Sequence, residues 1–305
     1  MTLPLFDTHA HLIGDDWDHY PARPFTPDLP MPDRPGYSVT ADGLIAMMDA
    51  HDVQQACLVQ RGHVYGYDNS YIIDSARRYA GRLHPVVILD AQDPATADTY
   101  RHLVSTAHVR GFRMANARPW LLDTAWISSP PALDVWKACA DLGTPMTMIV
   151  FINQLPYVLP LVKILARMFP DLPILLDHGA MPFGMTQYEV ARAEQAGETI
   201  VMPDAPDFGI DSTIRIFEDV PNVHFKITEI NMERLVAADV RPARLVRRMV
   251  DSFGPDRLVW GSDIGQSMGW SYTEKTAMAR AAADFLSEDE RAGFLHDNAA
   301  RLYRL

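Results

Sequence analysis

Short continuous apolar runs alternate with stretches of helical period along the whole chain. The runs fall at Leu5–Leu12, Ala56–Gln60, Leu83–Leu89, Val109–Met114, Pro145–Val150, Pro173–His178, Val223–Ile227 and Arg257–Asp263. Runs of this length without polar alternation are the pattern of strands buried on both faces, as in a parallel sheet. Between them, apolar residues recur at helical spacing over 41–50, 70–79, 96–107, 131–142, 154–169, 186–196, 212–218 and 239–252, and again over 273–285, 287–295 and 298–303. Strands alternating with helices define an α/β class with a parallel sheet. About eight such units in one series, with no Gly-rich dinucleotide turn, predict a (β/α)8 TIM barrel, regular or distorted, rather than an open sheet. No linker or internal repeat divides the chain, so 1–305 reads as a single domain. A further short apolar run lies at Thr199–Met202.

One segment departs from the pattern. Residues 14–40 are loop-like, with Pro21, Pro24, Pro27, Pro30, Pro32 and Pro35, and they carry Trp17, His19, Tyr20 and Phe25. A long early loop in a compact domain is often functional. It is expected either to cover a pocket or to form a contact between copies of the chain in a homo-oligomer.

Composition narrows the partners. The net charge of −12 argues against nucleic acid, which needs a basic face. No apolar run is long enough to span a bilayer, and the first residues lack the basic and apolar regions of a signal peptide. Only two cysteines are present, Cys57 and Cys139, both in apolar contexts. The expectation is a cytoplasmic protein with buried, reduced thiols.

In such a barrel the chemistry sits at the C-terminal ends of the strands and just beyond. Read at those positions alone, the polar residues are few. The first strand offers Asp7, His9 and His11, which share one face by the period of two. The second offers Gln60, Arg61 and His63, and the fourth offers Arg113. Later strands end in Asp177 and His178, then Lys226, Thr228 and Glu229, then Ser262 and Asp263. His9, His11, His178 and Asp263 would converge as three imidazoles and a carboxylate, a donor set for one Zn²⁺-like ion with a water of lowered pKa. Asp263 is a ligand, a general base, or both in turn. Arg61 and Arg113 have the fork geometry for a substrate carboxylate, or else hold loops by salt bridges. Lys226 follows an apolar run, so it points into the site or sits in a structural ion pair. Glu229 is a second acid or base, or a loop residue. The strand Met146–Val150 ends without Lys, His or Glu, and Lys163 lies on the following helix. That excludes a two-metal centre bridged by a modified lysine.

These residues lie in motifs that resemble the amidohydrolase superfamily, in its amidohydrolase-related branch of TIM-barrel metal-dependent hydrolases. The motifs are Asp7-Thr8-His9-Ala10-His11, Tyr65-Gly66-Tyr67-Asp68-Asn69, Gly111-Phe112-Arg113 and Leu176-Asp177-His178-Gly179. Pro221-Asn222-Val223-His224-Phe225-Lys226, Trp260-Gly261-Ser262-Asp263 and Asn298-Ala299-Ala300-Arg301-Leu302-Tyr303 follow, in family order. The most similar-looking members open small lactones: 2-pyrone-4,6-dicarboxylate lactonase, sulfomuconolactone hydrolase and sugar-acid lactonases. The resemblance implies His9, His11, His178 and Asp263 as metal-site or water-activating residues, with Asp263 as the base and His178 beside it. Some members bind one Zn²⁺, and others keep the histidines but need no metal. Arg113 and Lys226 are implied as substrate contacts, and Arg61 and His63 join them as candidates.

The expectation is a lactonase for a small carboxylate- or sulfonate-bearing compound, such as an intermediate of aromatic catabolism. Water activated by Asp263 would attack the carbonyl, with the histidines or the ion stabilising the oxyanion. The alternative is a metal-dependent decarboxylase or hydratase of an unsaturated acid, and a less favoured one is a non-catalytic anion-binding barrel. The chain departs from the common family pattern at Lys226-Ile227-Thr228-Glu229, where a Ser-Gly pair is frequent. It departs again at Ile264-Gly265-Gln266-Ser267, where a Trp-Pro pair often follows the aspartate.

Overall fold

The structure is a computed structural model and describes residues 3–25, 38–181, 187–267 and 269–305. Eight strands form one parallel sheet in sequence order: β1 (Leu5–Ala10), β2 (Val53–Val59), β3 (Leu83–Val87), β4 (Gly111–Met114), β5 (Met146–Met148), β6 (Ile174–Leu176), β7 (Val223–Thr228) and β8 (Leu258–Gly261). Apart from Gln54 and Gln55 in β2, the strand residues are buried, as continuous apolar runs require. Among the described residues, twelve α-helices of five residues or more flank them: α1 (Ala41–Ala50), α2 (Ser70–Arg78), α3 (Thr96–Ala107), α4 (Pro130–Leu142), α5 (Leu155–Met168), α6 (Gln187–Gln195), α7 (Ile210–Phe217), α8 (Glu229–Ala237), α9 (Pro242–Phe253), α10 (Tyr272–Ala282), α11 (Glu288–Ala292) and α12 (Asn298–Tyr303). Their starts carry the expected chemistry. Ser129 caps α4 ahead of Pro130, and Ser271 and Ser287 form capping boxes with Glu274 and Glu290.

The barrel is closed where β8 meets β1. The Asp263 amide donates to the His9 carbonyl (2.7 Å), and the His11 amide donates to the Ile264 carbonyl (2.9 Å). The Thr8 hydroxyl donates to the Trp260 carbonyl at 2.5 Å. Asp7 bridges the same seam. Its carboxylate accepts from the Ser262 amide (2.8 Å), the Ser262 hydroxyl (2.5 Å), the Tyr272 hydroxyl (3.1 Å) and the His9 amide (3.0 Å). Asp7 therefore belongs to the closure and does not join the two histidines as a site residue. Gly261 permits this approach, because a Cβ there would lie 2.6 Å from the His9 Cβ.

One end of the barrel is sealed. Phe6, Cys57, Val86, Leu175 and Val259 pack with Ala299, Leu302 and Tyr303, so α12 covers the N-terminal ends of the strands. Phe6, Val86, Leu175, Val259 and Leu302 each contribute about 1.5–3 kcal/mol on burial. Cys57 and Cys139 are buried free thiols, as expected. Some expectations shift. Helix α8 lies where the sequence pattern predicts no element. Glu229 opens it, fully buried, and accepts from Lys275 of α10 (2.5 Å). Residues 199–202 have no regular structure, and Val201 is exposed. Of the proline arm, residues 26–37 lie outside the described residues. Trp17 and Tyr20 pack on Tyr65 and Tyr71, and Phe25 lies against Tyr67.

Two outcomes check this account. Gly261→Ala forces β1 and β8 apart and should cost about 1–3 kcal/mol, the usual penalty of overpacking; an unchanged urea midpoint would contradict the closure argument. His224, near the start of β7, is pulled down to about 3 by burial and then by the Arg257 charge. Its unfolded form takes up a proton below about 6.5 and its folded form does not, so acidification from 6.5 toward 3 removes stability. His224→Asn lacks that loss. Between pH 6 and pH 5 the stability of the wild type relative to the variant should fall by about 1 kcal/mol in urea titrations; a constant difference would refute the buried neutral imidazole.

Candidate active site

At the C-terminal ends of the strands lies a cavity with about 630 Å³ of open space, mouth included. Its floor shows His11, His178 and Asp263. Arg61, His63, Arg113, Asn116 and Gln266 add polar groups, and Phe25, Ile88, Ile149, Phe151 and Ile230 form apolar walls. Of the aromatic residues expected to cover a pocket, Phe25 reaches this one.

The three floor residues are held from behind. His11 Nδ1 lies 2.7 Å from the Val59 carbonyl. A carbonyl only accepts, so Nδ1 carries the hydrogen and Nε2 the lone pair. Burial, then the charges of Arg61 and Arg113, holds His11 well below its usual pKa. Burial also pulls His9 and His178 down to about 4, although Asp177 opposes this at His9 and Asp263 at His178. All three rings are neutral at pH 7. His178 Nδ1 meets the Thr228 hydroxyl at 2.6 Å. Both His178 (φ 54°) and Asp263 (φ 53°) occupy the left-handed region, which bulky residues rarely adopt and which occurs at functional sites. Asp263 is locked there by its amide bond to β1, by Gly265 (φ 82°) and by Lys275. Lys275 donates to the Ser262 and Ser267 carbonyls (3.1 and 2.9 Å) on either side of the turn.

Asp263 Oδ1 lies 3.5 Å from both His9 Nε2 and His11 Nε2, and the three groups form a compact buried donor set. The ring of His178 is adjacent, its centroid 5.2 Å from that of His9, but it stands outside the set. Neither oxygen of Asp263 has a hydrogen-bond partner among the described residues, and neither does His9 Nε2. The lone pair of His11 thus faces a fully buried, unsatisfied carboxylate. Such an arrangement is costly unless a cation lies between the groups. These donors suit a single divalent ion, and at His11 the Nδ1–H···carbonyl bond is the usual support of a metal-binding imidazole.

Beneath the floor, Asp177 gathers the remaining charges. Arg113 Nε donates to it at 2.8 Å, Lys226 Nζ lies at 3.2 Å, and His9 Nδ1 at 3.5 Å. Burial pushes the Asp177 carboxyl up, but Lys226, Arg113 and His9 together outweigh it and hold it well below the ordinary range. Lys226, expected to hold the substrate, is fully buried on the face of β7 that turns inward, and it does not line the cavity. The structural ion pair is the reading that fits. Arg113 is shared: its Nε serves Asp177 while the side chain lines the cavity. Arg61 and His63 also line it, with Arg61 Nη1 3.0 Å from His63 Nδ1. Gln60 is not a cavity residue, because its amide donates to the Gly66 and Asp68 carbonyls and holds the loop after β2.

An eight-stranded parallel barrel with a buried His-His-Asp donor set at the ends of its strands is a candidate metal centre. The family model described as Amidohydrolase matches residues 6–305, and the chain belongs to that family. L-fucono-1,5-lactonase from Burkholderia ambifaria is 29% identical over 254 residues, 78% of this chain and 76% of that protein. The fold is shared with a probable 2-pyrone-4,6-dicarboxylic acid hydrolase from Acinetobacter baumannii with citric acid bound (TM-score 0.71, 15% identity, 99% of each chain). It is shared also with 5-carboxyvanillate decarboxylase from Novosphingobium aromaticivorans, complexed with manganese and a nitrobenzoic acid (TM-score 0.65, 13% identity, 99% of this chain and 96% of that one).

After loading with Mn²⁺ or Zn²⁺ and desalting, the wild-type chain should retain about one ion by elemental analysis, and His11→Ala and Asp263→Asn should retain almost none. Equal metal content in all three would remove His11 and Asp263 from the ion site.

Proposed function

We propose that this protein is a lactonase that hydrolyses the ring ester of a small compound bearing a carboxylate or sulfonate, such as an intermediate of aromatic-ring breakdown. One observation carries the reading: the unpartnered Asp263 carboxylate lies in the floor of the cavity that Arg61 and Arg113 line. The arginines bind the anionic substituent as charge-assisted forks. The walls formed by Ile88, Ile149 and Phe151 suit the faces of a flat ring. The lactonase relative supports the reaction class.

Asp263 takes a proton from water as the water oxygen bonds to the lactone carbonyl carbon. The carbonyl π electrons move onto oxygen, then return as the ring C–O bond breaks. The departing ring oxygen takes the proton back from Asp263, and the product is a ring-opened acid. His11 had been expected to donate to the developing oxyanion, but its Nε2 carries no hydrogen and cannot do so while the ring is neutral. Stabilisation of the oxyanion then falls to whichever of the two arginines lining the cavity, Arg61 or Arg113, is not engaged by the substituent. A divalent ion held by His9, His11 and Asp263, when bound, supplies Lewis-acid polarisation of the carbonyl.

The decarboxylase reading draws on the same donor set and on the manganese-containing structural relative. It requires release of CO2 and delivery of a proton to carbon.

A panel of carboxylated pyrones and muconolactones, neutral sugar lactones and hydroxybenzoates, assayed with and without chelator, separates these readings. Ring opening of the anionic lactones is the expected result, and Asp263→Asn should lower kcat at least ~10²-fold with the far-UV spectrum unchanged. Turnover confined to neutral lactones would overturn the substrate class. CO2 release without ring opening would overturn the reaction, and near-normal kcat in Asp263→Asn would overturn the role of Asp263.

A further inference from the structure

Thr228 and Asn231 stand behind His178 and make no contact with the cavity. The geometry points to them as positioning residues that fix His178 in its Nδ1–H form, in which Nε2 carries the lone pair.

The assignment follows from which groups can donate. Asn231 is buried, and its amide orientation is set at both ends. Its Nδ2 donates to the His178 carbonyl at 2.9 Å, and its Oδ1 accepts from the Thr228 amide at 3.1 Å. Flipping the amide would place oxygen against carbonyl and NH₂ against N–H. The Thr228 hydroxyl lies 3.2 Å from the same Oδ1 and 2.6 Å from His178 Nδ1, and it has one hydrogen. Given to Nδ1, that hydrogen would leave two acceptor oxygens facing each other at 3.2 Å. Given to Oδ1, it satisfies the amide oxygen and leaves the hydroxyl lone pair to accept from Nδ1–H. The second arrangement pairs every group. Asn231 has a second task, since its bond to the His178 carbonyl ties down the left-handed backbone of that residue (φ 54°). Sequence reasoning placed Thr228 at a strand end but gave it no role, and it left Asn231 unmentioned.

The consequence reaches the chemistry proposed above. With His11 and His178 both presenting lone pairs, the neutral floor offers acceptors for a proton or a cation and no imidazole donor from either residue for an oxyanion.

The test reads the tautomer directly. In the chelator-treated full chain, with ¹⁵N-labelled histidine, long-range ¹H–¹⁵N correlation should show the protonated-Nδ1 pattern for His178. Thr228→Val, which keeps the shape and removes the hydroxyl, should lose that pattern, and Thr228→Ser should keep it. A protonated Nε2 in the wild type overturns the proposal, and so does an unchanged His178 spectrum in Thr228→Val. The wild-type spectrum decides the matter even if Thr228→Val fails to fold. The kinetic arm rests on the lactonase reading: kcat should fall about 10- to 100-fold in Thr228→Val, with KM little changed and serine restoring turnover. If no lactone is turned over, that reading fails while the spectrum still decides the tautomer.

Discussion

The closure of β8 onto β1 is the constraint on which the rest of the molecule depends. A parallel barrel has one seam where the first strand must find the last, and here the seam is made by Asp7, Thr8, the His9 carbonyl and Gly261. It does more than close the sheet. The hydrogen bond from the Asp263 amide to the His9 carbonyl sets the relative height of a carboxylate and an imidazole, and the bond from the His11 amide to the Ile264 carbonyl sets the other side of the turn. Residues more than 250 positions apart in the chain thereby share a 3.5 Å contact. A buried Asp7 satisfied by four donors is what lets the neighbouring Asp263 remain unsatisfied without the seam opening.

Charge below the floor solves a second problem. Arg113, Lys226 and His9 converge on Asp177, so that three strands beyond the seam are pinned at one depth by a network with little access to water. Buried ion pairs of this kind cost much of what they gain in desolvation. Their value here lies in position: Arg113 is aimed by Asp177 at its Nε, leaving the rest of the guanidinium for the cavity, and His9 is held edge-on to His11.

Much of this was legible in the sequence, for definite reasons. The period of two put His9 and His11 on one face, and the rule that barrel chemistry collects at strand ends selected His178, Arg113 and Asp263 from many polar residues. Depth along a strand was not legible. Asp7 shares the face of the two histidines yet sits one layer lower, where it meets Ser262 and Tyr272 instead of the cavity. Lys226 likewise points inward but ends under the floor, because Asp177 from the neighbouring strand reaches it first. Helix α8 was missed because its cap is Thr228 with Asn231, not the Ser/Thr-x-x-Glu/Gln pattern that signals a start. That same cap is the pair behind His178, so one unfamiliar local motif hid both a helix and the hydrogen bonds that hold His178.

Hydrogen positions decide what the histidines can contribute. Three neutral imidazoles beside a carboxylate suggest, from residue types alone, both metal ligands and oxyanion donors. The Val59 carbonyl removes the second option for His11, since a ring that donates at Nδ1 has nothing left to donate at Nε2. The floor then holds electron pairs from His11 and Asp263 3.5 Å apart, and a cation or a donated proton between them would reconcile the two. An ion does so, and so does a proton taken from water and held between Asp263 and an imidazole. The two differ in where the charge comes from but place it at the same point, between the carboxylate and the ring.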